Sequence, residues 1–256
     1  VIQSKFFRNM RILIVLVRRD YALQYAGSAL GLTWMFLQNL SLILIYTVVF
    51  YFIGIRANGE DPIDYFSYVL SGLLFWIPLQ EYLIRGTGIL TDNRHLIKRS
   101  PLGPEIFLWI PFFQYVLHWL ITAVPVIVFL LWFGKANWSG LLPGSLTIVA
   151  TGLFLACLIN YFARINIILR DISPLVRLCS QFLFWGLPVL YQSSGVLGKL
   201  NVWNPFFFPL ELFRSFILSN YESKANFTDF VPFIVLFFVI FFLSRAKLNQ
   251  VVLDHL

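Results

Sequence analysis

Between residues 21 and 55 this chain carries no charged side chain. A bilayer core about 30 Å thick is crossed by roughly 20 apolar residues of helix, so this stretch is longer than one span needs. Four further charge-poor apolar stretches of spanning length follow, with a more ambiguous one between the last two. The pattern specifies an all-α, polytopic membrane protein and turns attention from catalytic pockets to what crosses a membrane.

The composition agrees. Hydrophobic residues make up 59% of the 256 and charged residues 12%, about half the charged share of a soluble domain. Lys and Arg (19) exceed Asp and Glu (12), yet no basic run stands apart from the apolar segments, so the basicity reads as membrane topology and not as a nucleic-acid surface. Cys157 and Cys179 sit in or beside apolar segments without metal-site or disulfide spacing and are expected to be small core residues. No signal peptide is read, because Arg18, Arg19 and Asp20 break the first apolar stretch and no small-residue cleavage site follows.

Six spans are expected, at about 30–55, 63–84, 106–133, 141–163, 175–195 and 230–245. The fifth is the weakest, with Arg177 near its start and Pro188 inside it; backbone freed by that proline needs protein or water partners, since lipid offers none. One side of the membrane collects Lys5, Arg8, Arg11, Arg18, Arg19, Arg85, Arg94, Lys98, Arg99, Arg164, Arg170, Arg177, Arg245 and Lys247. The other has Arg56, Lys135, Lys199, Arg214 and Lys224, alongside Glu60, Asp61, Asp64, Glu211, Glu222 and Asp229. The positive-inside rule makes the first side cytoplasmic, so the chain is expected in the cytoplasmic (inner) membrane with both termini in the cytoplasm.

Residues 2–21 read as a basic amphipathic helix. Phe6, Met10, Leu13, Val17 and Tyr21 recur at helical spacing, opposite Arg8, Arg11 and Arg18. Such a helix, with Arg19 at its end, lies in the inner interface; a frayed start to the first span is the open alternative. Gly27 and Gly31 supply a bend before the span. The chain thus divides into an interfacial helix (1–28), five spans (30–195), an outer segment (196–229), and a sixth span with an inner tail (230–256), all one transmembrane domain.

Arg19-Asp20, Tyr25, Ser28, Leu30-Gly31 and Trp34, then an apolar run with Tyr46 and Phe50, resemble the opening of permease subunits of ABC-type polysaccharide exporters, which export O-antigen, teichoic acid and capsular chains. The resemblance continues in Leu96-Ile97-Lys98 before Pro101, in Arg170-Asp171-Ile172, and in Asn204-Pro205 with Arg214. Ala26 and Asn39-Leu40 depart from the family pattern, where a basic residue and an Asn-Pro are common. The resemblance implies a homodimer of six-span permeases with two separate ATPase subunits and a lipid-linked polysaccharide as cargo.

Four features are candidates for function. On the second inner loop, Asp92-Asn93 can cap a short helix that Pro101 and Pro104 would end. It carries Arg94, His95, Leu96, Ile97, Lys98 and Arg99. A solvated loop does not need Leu96 and Ile97, whereas a helix docking into a partner's groove does, and the resemblance implies an ATPase coupling helix; an ordinary positive-inside loop is the alternative. No phosphate-binding Gly-x-x-x-x-Gly-Lys-Ser/Thr loop is present, so no cofactor is expected on this chain, and ATP with Mg would be handled by the partner. Trp34, Gln38 and Ser41 on the first span, and Arg177, Gln181, Trp185, Pro188 and Gln192 on the fifth, form polar–aromatic stripes that should face protein or water and not lipid. Of these, Trp34, Gln38, Gln181, Trp185 and Gln192 are the candidate path residues, since aromatic faces beside amides suit sugars.

Glu81 is the one acid well inside an apolar segment. It invites a proton relay, while Arg85 at i+4 offers a structural pair. Finally, residues 192–229 are too apolar for a free loop and too interrupted for a span. They suit a re-entrant helical pair turning at Asn204-Pro205, which the resemblance implies is an outer gate; an interfacial helix is the alternative. Two other functions remain in view: a permease for a small molecule or drug, and an integral-membrane enzyme acting on lipid-linked sugars. The enzyme would want acids or histidines gathered at the membrane face, but His95, His118 and His255 are scattered. No metal site is expected.

Overall fold

The structure, a computed structural model, describes residues 2–31, 33–53, 61–99, 103–193 and 195–244. The side chain of Arg8 and the tail with Arg245 and Lys247 lie outside the described residues. The described elements are helical: α1 (Ile2–Gln24), α2 (Thr33–Ile53), α3 (Pro62–Asp92), α4 (Arg94–Arg99), α5 (Glu105–Leu108), α6 (Ile110–Trp132), α7 (Leu141–Ile168), α8 (Ile172–Trp185), α9 (Gly195–Asn201), α10 (Phe207–Ile217) and α11 (Val231–Ser244). One antiparallel bridge joins Ala136 to Leu218.

Among the described residues, three helical segments are long and apolar enough to cross a membrane: Pro62–Asp92, Glu105–Trp132 and Trp138–Ile168. α3 is the axis of the fold, packing against α2, α6, α7, α8 and α10. Its start is set chemically. Asp61 caps it, Oδ1 accepting from the Ile63 N–H at 3.1 Å, and Pro62 occupies the first turn. α3 is the least apolar of the three segments and the most buried, while α6 and α7 expose Val124, Val128, Trp132, Leu142 and Leu146. That inversion of the water-soluble pattern is what a lipid solvent selects, since lipid tails are as apolar as any core. Gly86 against Ile159, and Gly152 against Tyr115, let α7 approach α3 and α6 closely; a Cβ at either position would fall 2.4–2.5 Å from its neighbour.

α1 ends at Gln24, and the chain turns through Gly27 (φ 77°) and Gly31 (φ 51°) into α2. Both glycines occupy the left-handed region that other residues resist, so the expected bend is present. Leu13, Val17 and Tyr21 are buried, whereas Arg11 and Arg18 are exposed.

Two expectations require correction. The helical spacing drawn from Arg177 to Gln192 does not hold throughout: α8 stops at Trp185 with Gly186 as its cap, ahead of the Pro188 expected to interrupt the fifth stretch. Its 14 residues extend about 21 Å, short of the hydrocarbon thickness. Pro188 therefore lies in a buried bend beyond the helix. The bend's carbonyls are bonded by α3 and α10: Tyr68 donates to Pro188 and Tyr191 (2.8 and 3.1 Å), Tyr65 to Leu190 (3.2 Å), and Arg214 to Val189 (3.3 Å). The second correction concerns Cys157 and Cys179, which are exposed and not core. In an apolar solvent a small apolar side chain has no reason to be inside.

Candidate transport path and coupling surface

α4 follows α3 across the single residue Asn93. The Asn93 amide donates to the Ile89 carbonyl at 3.0 Å and accepts from Arg19 of α1, so it fastens the joint between three helices. The two apolar residues of α4 then divide. Ile97 is buried in a cluster with Leu13, Val17, Leu90, Phe107 and Ile110, while Leu96 is 41% exposed beside exposed His95, Lys98 and Arg99. Ile97 anchors the helix to the bundle; Leu96 with its basic neighbours is what a partner can reach. Arg94 is half-buried.

Beside this joint a polar network crosses the bundle. Arg85 pairs with Asp20 of α1 at 2.6 Å and, more weakly, with Glu81 at 3.5 Å. Glu81 is bound more closely by His118 of α6, with Nδ1 to Oε2 at 2.5 Å, and the other ring nitrogen of His118 meets the Asn39 amide of α2. Gln114 closes the circuit by donating to Asp20 at 2.7 Å. The intramembrane acid is therefore partnered within the bundle by Arg85 of its own helix and His118 of α6, which is how such charges are tolerated in lipid. The i,i+4 spacing found the lesser of its partners. His118 was missed as a lone histidine in an apolar run; the signal that could have found it is that an acid at that depth requires a second donor.

On α2, Trp34, Gln38 and Ser41 are exposed while Asn39 and Ile43 face the bundle. On α8, Arg177, Gln181 and Trp185 are exposed along one i+4 row, beside the buried row of Val176, Ser180 and Phe184. The two helices meet through the rings of Tyr46 and Phe184, 5.8 Å apart, so both stripes lie on adjoining helices and point away from the protein's own core. The stripe does not continue to Gln192. That residue lies past the bend and accepts from Lys224 at 3.3 Å.

The outer segment folds as α9 and α10 with Asn204-Pro205 between them. Asn204 is buried, its amide donating to the Leu183 carbonyl (3.1 Å) and its oxygen accepting from the Phe206 N–H (3.0 Å), which ties the turn to the end of α8. Arg214, counted from sequence among the outer loop charges, is fully buried. It donates to Glu211 at 3.0 Å and to the carbonyl of Tyr68 at 3.3 Å, and stands 3.7 Å over the Tyr68 ring. Glu211, also buried, accepts from Tyr221 (2.8 Å) and from the Lys224 N–H (3.0 Å). Burial raises the Tyr221 hydroxyl above its ordinary range, and Glu211 adds to the effect. Gly72 makes room for the guanidinium, since a Cβ there would lie 2.5 Å from Nη2. The i,i+3 spacing of Glu211 and Arg214 inside an apolar segment was the available signal for this pair.

No family model matches the chain. Two curated proteins do. The O-antigen export system permease protein RfbA of Klebsiella pneumoniae is 23% identical over 235 residues, covering 88% of each chain. The protein of the same name from Myxococcus xanthus is 26% identical over 193 residues, covering 75% of this chain and 72% of its own. The likeness read from the scattered motifs thus extends over most of the chain, which is similar to these two O-antigen export permeases.

Proposed function

We propose that this chain is the transmembrane subunit of an ATP-driven exporter that moves a lipid-linked, O-antigen-like polysaccharide across the cytoplasmic membrane. The observation that carries the reading is the similarity to two O-antigen export permeases over 75–88% of the chain. Two copies of the chain form the path and two separate ATPase subunits drive it; ATP and Mg belong to those partners. In this reading α2, α3, α6, α7, the α8 region and α11 are six membrane-embedded segments, both termini are cytoplasmic, and α1 lies in the inner interface among lipids with Arg11 and Arg18 toward headgroups.

The chain does no bond chemistry itself. α4 is the coupling helix: Leu96, His95, Lys98 and Arg99 meet the ATPase, while Ile97 and the Arg19–Asn93 contact pass its displacement to α1 and α3. The exposed faces of α2 and α8, with Trp34, Gln38, Gln181 and Trp185, line the path between the two copies. Polar groups on them avoid lipid in that arrangement, and many weak contacts let a polymer slide. Gln192 and the Asn204-Pro205 turn stand at its outer end, as a gate braced by Arg214. Co-expression with the ATPase and reconstitution into vesicles tests the reading. ATP-dependent movement of lipid-linked polymer across the bilayer is expected from the complex, and none from either component alone. A chain that neither co-purifies with the ATPase nor supports this movement refutes it.

A further inference from the structure

The inner ends of α3, α7 and α8 enclose a cavity of about 620 Å³. Its lining carries four guanidinium groups, Arg85, Arg94, Arg170 and Arg177, against one carboxylate, Asp92. Arg85 is engaged by Asp20 and Glu81. Arg170 and Arg177 are exposed, and among the described residues neither has an ion-pair partner. The polar wall behind them is fixed. Buried Asn166 donates to Thr91 at 3.4 Å and accepts from the Ser173 N–H at 3.0 Å, which holds the start of α8 against α7 and α3 and so sets where Arg170 and Arg177 stand.

We propose that this cavity binds the phosphate or diphosphate group of the exported lipid-linked saccharide. Guanidinium groups grip phosphate oxygens in paired hydrogen bonds, and Arg170 and Arg177, converging on one hollow with no ion-pair partner among the described residues, favour an anion. The location favours a tethered anion over a soluble one. Arg177, Gln181 and Trp185 follow one another at i+4 along the exposed face of α8, so a group held at Arg177 extends onto the amide and indole above it. The charged linkage would be captured at the foot of that face and the sugars laid along it. The inference rests on the export reading and adds a binding site to it.

The test uses the exporter complex in lipid nanodiscs, titrated with a short-chain prenyl diphosphate, the matching prenol, and inorganic diphosphate. The prenyl diphosphate should bind and the prenol should not, with affinity falling as salt rises. Arg170→Ala and Arg177→Ala should each weaken binding about tenfold, a loss within reach of one charged hydrogen-bonded contact, and Arg177→Lys should retain part of it. Inorganic diphosphate binding as tightly as the prenyl compound would support the anion site but assign it to a soluble anion. Wild-type affinity in the double Ala variant overturns the proposal. So does a double variant that loses its ATPase but binds diphosphate normally, because the arginines would then belong to the ATPase interface. Polymer export by the wild-type complex, measured alongside, separates the two levels: failure of export defeats the export reading, whereas intact export with no diphosphate binding at the arginines defeats this site alone.

Discussion

Replacing Arg214 by Met removes the one cation buried with Glu211 among the described residues and leaves that carboxylate with two donors, the Tyr221 hydroxyl and the Lys224 N–H. It also deletes the hydrogen bonds to the Tyr68 and Val189 carbonyls and the cation held over the Tyr68 ring. Breaking a buried pair from one side costs about 3–5 kcal/mol, which for a chain of this size is a fall in Tm on the order of 10 °C. The Lys135–Asp64 pair is an internal control. It is shorter, at 2.5 Å, but its side chains are 27% and 54% exposed, and such pairs contribute about 1 kcal/mol or less. Thermal unfolding of purified protein in nanodiscs, followed by tryptophan fluorescence, should therefore rank Arg214→Met far below Lys135→Met. Adding Glu211→Leu to Arg214→Met should recover at least half the loss, because the stranded carboxylate goes with it. Equal melting of the Arg214→Met and Lys135→Met variants would refute the claim that burial, not distance, decides the strength of these pairs here.

With Cys157 and Cys179 first replaced by Ala, a cysteine at Glu222 should label from outside intact cells and one at His95 should not; external labelling at His95 would overturn the proposed orientation. Leu96→Asp should abolish ATPase association with Tm unchanged, whereas Ile97→Asp should lower Tm through the burial of an unpaired carboxylate; the reverse pattern would mean that Leu96 is not the docking side chain. The Gln181→Ala, Trp185→Ala double variant should slow polymer export at least severalfold with normal folding, and wild-type export from it would remove α8 from the path.

Hydropathy and local chemistry made much of the fold legible. The apolar runs mark α2, α3, α6, α7 and α11, Gly27 and Gly31 mark a bend realised with positive φ, and Asn204-Pro205 marks the turn between α9 and α10. What escaped is what depends on distant partners. Leu187 to Tyr191 are as apolar as a helix would be, yet their backbone is held in a bend by Tyr65, Tyr68 and Arg214, so an apolar run alone extended α8 too far. Leu96 and Ile97 are equivalent by hydropathy, and only the packing of α1 and α5 around Ile97 separates anchor from exposed surface. Helical spacing relates Gln181 to Trp185 on α8 but does not reach Gln192, because periodicity holds only as far as the helix does. Glu211 and Arg214 were read as loop charges because charge counting ignores burial.

The most direct measurement of the central claim is deletion of the gene for this chain, followed by parallel assay of surface polysaccharide and of full-length lipid-linked polymer inside the cell. A transport subunit should lose the first and accumulate the second, with both restored by the wild-type chain and neither by Leu96→Asp. Surface polysaccharide at wild-type levels would contradict the account, as would its loss without internal polymer, since that is the result expected of an enzyme that builds the chain.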